Sequence, residues 1–294
     1  MDALIKGISL AKEIRFTFAD VTESARLLCQ KHASGRSASA ILGEALAACA
    51  LLSADSDAPG ESVQLQLNCD GPLAGVHVEA TGDGRLRGYT KQKLLADLDG
   101  TDNPSNEETM GKSGGMIVIV STPDHVLYSG QVSASPPEIR SATARYYNQS
   151  MQMPTGVEVV AVMDGDTLGR AVALVAQKMP AGDTEAFVKV LEAFQERRVK
   201  QMLTSRKPGD PLWDVFGLDD IETTDTRPLS FGCSCSTKAV LLSIAALETS
   251  EITEIIDDTG SQEVTCHMCG EIYVVPEDEL LQILVERGRG SDGG

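Results

Sequence analysis

Four of the seven cysteines stand near the C-terminus in two close pairs. Cys233 and Cys235 form a Cys-x-Cys pair, Cys266 and Cys269 form a Cys-x-x-Cys pair, and the stretch 236–265 separates the two. Zinc binds four thiolates in tetrahedral geometry, and each closely spaced pair preorganises two ligands. The spacing therefore predicts a zinc site made by these four cysteines. Free buried thiols and two local disulfides are the alternatives that the pattern leaves open.

The same four residues are also suited to redox chemistry. A zinc-bound thiolate stays nucleophilic, so peroxide or hypochlorite can oxidise it to a sulfenic acid that condenses with a neighbouring thiol. Cys233 with Cys235, and Cys266 with Cys269, are each close enough in sequence for a local disulfide. Both disulfides together would remove every metal ligand. The motif fits either a structural staple or an oxidant-triggered switch, and spacing alone favours the staple.

Negative charge is concentrated around these cysteines. The chain has 294 residues and a formal net charge of -18. Residues 233–294 hold twelve acidic and three basic residues, which is half of that charge on about a fifth of the length. So small a unit has little apolar core, and metal ligation, worth about 10–16 kcal/mol in zinc peptides, would supply much of its folding free energy. The acidic chain also argues against a nucleic-acid partner, because phosphate binding needs clustered positive charge.

The remaining motifs predict no enzyme. Met110-Gly111-Lys112-Ser113 resembles the end of a phosphate-binding loop, but Asn106 stands at the position of the first glycine and a strand follows. His77 fits the solvated side of a strand. Paired carboxylates and a nucleophile elbow are not found in the sequence, so we expect no catalytic residue. The three isolated cysteines are expected in the core: Cys29, Cys49 and Cys69.

Hydropathy and the N-terminal residues bear on the location of the protein. No apolar run approaches the roughly 20 residues needed to cross a bilayer. The first residues lack the apolar segment of a secretory signal. We therefore expect a cytoplasmic protein with no membrane contact, and Lys6, Lys12 and Arg15 leave an organellar matrix as the alternative.

Residues 1–180 have the patterns of a mixed α/β (α+β) N-terminal domain. The run 37–54 is rich in Ala and Leu with Gly43 as its one breaker, which predicts a largely buried helix. Apolar residues that alternate with polar ones, or that form short β-branched runs, predict strands. The further predicted elements are a helix at 138–150 and strands at 63–67, 76–80, 86–89, 116–120, 157–162 and 171–175.

Two smaller regions follow this domain. Residues 181–232 are predicted to be a helical, metastable linker, in which Asp183 or Thr184 caps one helix with apolar positions through Val199. The linker holds four of the six Phe residues and the only Trp, so it must pack on another surface. Residues 233–294 are predicted to be a small α+β zinc-binding domain. Its predicted elements are helices at 238–247 and 276–287 and strands at 263–265 and 271–275.

Several motifs together resemble the redox-regulated heat-shock chaperone family Hsp33, over most of the chain. The most specific are Cys233-Ser234-Cys235-Ser236 and Cys266-His267-Met268-Cys269-Gly270, followed by Tyr273. The first domain carries the others: Asp70-Gly71-Pro72-Leu73, Gly84-x-x-Arg87-Gly88-Tyr89, Tyr128-Ser129-Gly130, the run Tyr146–Thr155, and Gln177-x-Met179-Pro180.

The resemblance implies an ATP-independent holdase that is inactive when reduced and bound to one zinc per chain. It implies that oxidation forms the Cys233–Cys235 and Cys266–Cys269 disulfides, releases zinc, and unfolds the linker and the C-terminal domain. The oxidised homodimer would bind unfolding client proteins and pass them to the Hsp70 heat-shock chaperone system. Residues 1–180 would serve client binding and dimerisation, and the linker offers four candidate client contacts: Phe187, Phe194, Trp213 and Phe216.

With this resemblance the switch is favoured over the staple. Two other functions remain as alternatives. One is a constitutive zinc-stapled interaction module, and the other is a thiol oxidoreductase that uses Cys266 and Cys269.

Overall fold

The computed structural model describes residues 1–56, 58, 60–101, 104–207 and 209–291. The chain divides into two compact units, Met1–Gly232 and Cys233–Gly294. Each unit combines helices with β-sheet, which confirms the predicted mixed α/β class. Residues 181–232 lie in the first unit, and their separate role as a linker stays a prediction. Within the described ranges, no helix has both the length and the apolar composition that crossing a membrane requires.

The elements of the first unit are numbered in chain order. Its strands are β1 (Ala3–Ser9), β2 (Ile14–Asp20), β3 (Ser62–Cys69), β4 (Gly75–Thr81), β5 (Arg85–Thr90), β6 (Gly114–Ser121), β7 (Val126–Ser133), β8 (Thr155–Asp164), β9 (Thr167–Lys178), β10 (Ile221–Pro228) and β11 (Ser230–Phe231). Its helices are α1 (Thr22–His32), α2 (Arg36–Leu52), α3 (Ala96–Asp99), α4 (Asn106–Met110), α5 (Ile139–Gln149), α6 (Thr184–Gln195) and α7 (Arg198–Ser205), followed by a 3-10 turn at Asp214–Phe216.

The first sheet is antiparallel, with strand order β10-β1-β2-β9-β8. Successive residues of a strand point to opposite faces. Phe16 and Phe18 of β2 and Leu174 of β9 therefore share the face that packs against α6 and α7. Strand β10 has no buried residue, and its sequence, IETTDTRP, is almost entirely polar. An edge strand without a buried face has no apolar alternation, so the sequence did not predict it.

The second sheet has strand order β11-β5-β4-β3-β6-β7, and β11 runs parallel to β5 while the other pairs are antiparallel. Helix α2 packs against both sheets, through β9 of the first and β4 of the second. Most of its residues are buried, which confirms the predicted helix. A Cβ atom added at Gly43 would lie 3.1 Å from Cβ of Ala171. Glycine here allows the helix to approach β9 closely.

The predicted linker helix is in fact two helices. Asp183 Oδ1 accepts a hydrogen bond from the Ala186 amide at 3.0 Å, so the predicted cap is confirmed. The helix ends at Gln195, and Arg197 has a left-handed backbone with φ of 60°. One continuous helix through Val199 was therefore a wrong prediction. The positions three and four residues after Phe194 are both arginines, and this break in the apolar spacing marks the place where the helix ends.

The second unit is small. It contains α8 (Thr237–Ile244), α9 (Thr249–Thr259), the hairpin β12 (Ser261–Thr265) and β13 (Ile272–Pro276), and α10 (Glu277–Ser291). The predicted helices and strands are confirmed, and α9 is additional. The second unit buries few apolar side chains, and its core consists of Val240, Ile244, Ile252, Val275 and Leu280.

Two predictions about isolated residues were wrong. Cys29 and Cys49 are buried as expected, but Cys69, at the end of β3, is only half-buried. His77 was expected in solvent and is half-buried, with its ring centroid 5.7 Å from that of Tyr89. Burial lowers the pKa of His77. The alternation along β4 places His77 on the polar face of the strand, but the large side chain of Tyr89 on the next strand shields it from solvent.

Candidate metal centre and aromatic cluster

A short segment before a helix and a hairpin turn of the second unit position the cysteines. Cys233 and Cys235 lie just before α8, where Ser236 Oγ caps the helix by accepting a hydrogen bond from the Ala239 amide at 3.2 Å. Cys266 and Cys269 lie in the turn between β12 and β13. The Gly270 amide donates to the Cys266 carbonyl at 2.8 Å, and Gly270 has φ of 73°. A residue with a side chain would be strained there, so glycine lets this turn close around the two thiols.

The four sulfur atoms converge, all within 4.8 Å of one another. Cys233 Sγ lies 3.9 Å from Cys266 Sγ, and Cys235 Sγ lies 3.5 Å from Cys269 Sγ. All four are thiols and not disulfides. Ligands held tetrahedrally at about 2.3 Å from a zinc ion lie about 3.8 Å from each other. The four cysteines can therefore hold a metal ion of this size, and an all-sulfur donor set excludes hard cations such as magnesium and calcium.

The immediate surroundings leave part of this centre open to solvent. Cys269 is 1% exposed, whereas the other three cysteines are half-buried. Burial raises the pKa of the Cys235 and Cys269 thiols. Being half-buried, Cys233, Cys235 and Cys266 keep part of their surface in contact with solvent. His267, between Cys266 and Cys269 in the chain, is exposed.

Tyr273 is a neighbour of the centre to which the sequence assigned no role. Its hydroxyl donates a hydrogen bond to Cys235 Sγ at 3.1 Å. This bond raises the pKa of the tyrosine above its ordinary value. In the sequence, Tyr273 stood out only as a residue of the family motif. Tyr273 lies opposite Val264 in the hairpin, four residues after Cys269 in the chain. The hairpin thus places the tyrosine hydroxyl beside the cysteines.

The four aromatic residues predicted to contact clients are gathered on one face of the first unit. Phe187, Trp213 and Phe216 are buried and Phe194 is half-buried. The ring of Phe216 lies 4.8 Å from that of Phe16 and 5.8 Å from that of Phe194. We call this group, with the sheet residues it covers, the aromatic cluster. That these four residues contact clients stays a prediction.

Trp213 shows how closely this segment fits its sheet. Its ring lies 5.8 Å from that of Phe16, and its Nε1 donates to Thr223 Oγ1 at 3.1 Å. A Cβ atom added at Gly7 would come within 2.9 Å of the indole. Glycine at this position of β1 therefore opens the space that the indole fills.

Arg227 of β10 ties the end of the segment to two turns of the first unit. Its guanidinium donates to the carbonyls of Ser53 at 2.9 Å, Ser56 at 3.1 Å and Gly82 at 2.9 Å. No sequence pattern singles out this residue, because its partners are backbone atoms in distant parts of the chain. One side chain thus holds the end of β10 through three hydrogen bonds.

Comparisons with known proteins cover nearly the whole chain. Residues 2–276 match the family described as Hsp33 protein. A 33 kDa chaperonin of Levilactobacillus brevis is 28% identical over 97% of this chain and 98% of its own length. One of Deinococcus radiodurans is 29% identical over 94% and 96%. A crystal structure of the 33 kDa chaperonin of Thermotoga maritima has the same fold, with a TM-score of 0.84 at 21% identity over 98% of this chain and 99% of that one.

Proposed function

Since the chain belongs to the Hsp33 family of chaperones, we propose that it is a redox-regulated, ATP-independent holdase that binds unfolding proteins under oxidative stress. The reduced, zinc-bound protein is the inactive form. Oxidation of the four clustered cysteines disorders the C-terminal unit and the linker, and the apolar surface that this uncovers binds clients. The protein acts as a chaperone and not as an enzyme.

The observation that carries this proposal is the convergence of two redox-capable cysteine pairs on one point. The four sulfurs lie within 4.8 Å of one another although a helix-bearing stretch, 236–265, separates the pairs in sequence. Bound zinc supplies the attraction that holds four mutually repelling thiolates together. Cys233, Cys235, Cys266 and Cys269 would be its ligands, and each of them is also a candidate for oxidation.

The redox step balances for each pair separately. A thiolate of one pair attacks hydrogen peroxide, so that a sulfenic acid forms and hydroxide leaves. The second thiolate of the pair then displaces the sulfenic oxygen as hydroxide, and protonation gives water. Each pair thus loses two electrons to one peroxide, forming Cys233–Cys235 and Cys266–Cys269 bonds. Disulfide sulfur is a poor zinc ligand, so both steps together leave no thiolate for the metal.

The composition of the second unit supports coupling of this chemistry to unfolding. Its apolar core contains few side chains, and its residues carry half of the net negative charge. Charge repulsion favours an expanded chain once the metal no longer ties the two turns together. Cys233 directly follows Gly232, so disorder that begins at the cysteines reaches the linker through the chain itself.

The aromatic cluster supports the second half of the mechanism. Phe187, Trp213 and Phe216 cover Phe16 and other apolar residues of the five-stranded sheet. Release of residues 181–232 would expose both sides of this contact, a contiguous apolar surface of the kind that binds unfolded polypeptides. Residues 1–180 would then provide the sheet side of that surface.

The remaining parts of the proposal rest on the family. They are a homodimer in the oxidised form, with contacts supplied by residues 1–180, and handover of clients to the Hsp70 heat-shock chaperone system. A cytoplasmic location fits an oxidant sensor that is normally kept reduced.

The test is to count metal and free thiols in one sample before and after oxidant, while measuring aggregation of a thermally unfolding client. We expect one zinc and four reactive C-terminal thiols before oxidation, and loss of both together with a gain of anti-aggregation activity after it. Retained zinc and four protected thiols would favour the constitutive module instead. Turnover of a dithiol substrate by metal-free protein would favour the oxidoreductase. A variant with Cys29→Ser and Cys69→Ser, whose thiols lie outside the centre, is the matched control.

A further inference from the structure

We propose that the outer edge of β5 is a strand-addition site for clients, and that β11 occupies it as a built-in substitute until oxidation. The segment that fits is an extended one with an apolar residue, a spacer, an aromatic residue and a small residue in succession. This inference rests on the proposed function, because a client reaches the edge only after β11 has left it.

The contact between β11 and β5 is a minimal parallel strand pair. The Ser230 amide donates to the Gly84 carbonyl at 3.0 Å, and the Gly232 amide donates to the Leu86 carbonyl at 3.0 Å. An extended peptide that adds to an exposed sheet edge uses the same main-chain bonds. Because these bonds involve the backbone alone, another polypeptide can replace the resident one.

The Gly88 carbonyl of the same edge is covered in a different way. Gly84, Leu86 and Gly88 alternate along β5, so their carbonyls point to the same side. The Gly88 carbonyl lies 3.0 Å from His32 Nε2, which must donate because the carbonyl can only accept. His32 belongs to α1, in the body of the first unit, and remains when the linker leaves. The removable cover of this edge is therefore β11 itself.

The side chains around β11 define what the edge accepts. Leu229, just before it, is buried, and the Phe231 ring lies under Lys31 Nζ, 5.7 Å from the ring centroid. A cation over a ring face favours an aromatic residue at this place. A Cβ atom added at Gly232 would lie 2.8 Å from the Arg85 side chain, so a small residue fits best there.

Gly84 shows that the edge is shaped around a second backbone. Its φ is 85°, and an added Cβ would lie 2.3 Å from the Pro228 carbonyl oxygen. The chain that leads into β11 therefore passes closer to Gly84 than a side chain there would permit. Apolar and aromatic segments of this kind are buried in folded proteins and exposed in unfolding ones, which matches the proposed clients.

The position of β11 makes it the first part of the linker to leave. It is two residues long, and only Gly232 separates it from Cys233. Arg227, with its three carbonyl partners, holds the chain a few residues earlier. Disorder that starts at the cysteines reaches the β11 pairing before it reaches this anchor.

The experiment uses a fluorescent peptide with the sequence of residues 227–232 and the full-length protein, reduced with zinc or oxidised. We expect the peptide to bind the oxidised protein and compete with an unfolding client, and to bind the reduced protein at least about tenfold more weakly, since β11 fills the site. N-methylation at both Ser230 and Gly232 removes the two donors and should weaken binding about 30-fold. N-methylation at Phe231 is the matched control, because its amide points away from β5, and should leave binding unchanged.

A second arm separates this inference from the proposed function. The full-length variant Ser230→Pro/Phe231→Ser loses one donor and the ring, so its edge is open without oxidant, and the peptide should bind it in the reduced state. If oxidised wild-type protein protects clients but the peptide neither binds nor competes, the strand-addition site is refuted and the holdase stands. If the oxidised protein has no holdase activity, the reduced variant alone decides the question. Binding of the peptide to this variant, weakened by N-methylation at Ser230 and Gly232 but not at Phe231, supports the edge site, and absence of binding refutes it. Equal effects of all three N-methyl positions would also refute it.

Discussion

Arg227 offers a quantitative test of how the linker is held. The substitution Arg227→Ala removes a guanidinium that donates to the carbonyls of Ser53, Ser56 and Gly82 at 2.9 to 3.1 Å. Ser53 is 0% exposed and Ser56 is 4% exposed, so water cannot readily replace these donors. A hydrogen bond from a charged donor contributes about 1.5–3 kcal/mol. Because Arg227 itself is only half-buried, we take the lower value for two of the three bonds.

The expected loss is then about 3 kcal/mol, which corresponds to a roughly 140-fold larger population of the form with β10 detached. Amide hydrogen exchange of residues 221–228 in the reduced, zinc-loaded protein measures this population. Arg227→Lys should lie between the variant and wild type, because one ammonium group cannot reach three carbonyls. Lys189→Ala, which removes a side chain that is 65% exposed on α6, is the matched control.

Two results would refute this reasoning. Unchanged exchange at 221–228 in a folded Arg227→Ala protein would mean that β10 is held by its pairing with β1 alone. Equal acceleration across the whole first unit would mean that Arg227 stabilises the fold and does not act as a local anchor. If the reasoning holds, the variant should also gain holdase activity at a lower oxidant dose than wild type.

Three further predictions follow from other parts of the molecule. Cys266→Ser removes one thiolate, so amide exchange of residues 233–291 should be at least about 100-fold faster than in wild type under reducing conditions with zinc, and wild-type protection there would contradict the metal-dependent fold. Burial raises the pKa of Glu44 to about 8, from 4.5. Between pH 4.5 and about pH 8 the folded protein therefore keeps a proton on Glu44 that the unfolded chain loses. As the pH rises through this range, the free energy of unfolding should fall by up to about 1.4 kcal/mol per pH unit. Urea titrations should show this slope in wild type and in the exposed control Glu185→Gln. The slope should be smaller in Glu44→Gln, where Asp2 and Glu158 still contribute because burial raises their pKa values as well. Phe216→Ala should lower the free energy of unfolding of the first unit by about 3–5 kcal/mol, because it empties the centre of the aromatic cluster, and a loss below about 1 kcal/mol would show that the cluster is loosely packed.

Local patterns predicted a large share of the fold. The helix α2 was predicted from a run rich in Ala and Leu, and β3 from strict alternation of apolar and polar residues. In both cases the order of the residues shows which side chains are buried. Strand β10 was not predicted, since it lies at a sheet edge and buries neither face. The helix break at Arg197 was also missed, because apolar residues resume at Val199 and suggest a continuous face.

The chemistry of the candidate centre was determined by the sequence, because a Cys-x-Cys and a Cys-x-x-Cys pair each place two thiols together by chain geometry alone. The most specific part of the family resemblance rests on the same residues. Only the tertiary structure decided that the two pairs meet, with every sulfur within 4.8 Å of the others. The same is true of the aromatic cluster on its sheet, of Arg227 on three distant carbonyls, and of β11 on the edge of β5. Such contacts join residues far apart in the chain, and their strength depends on shape and on backbone atoms, which residue types and spacing do not encode.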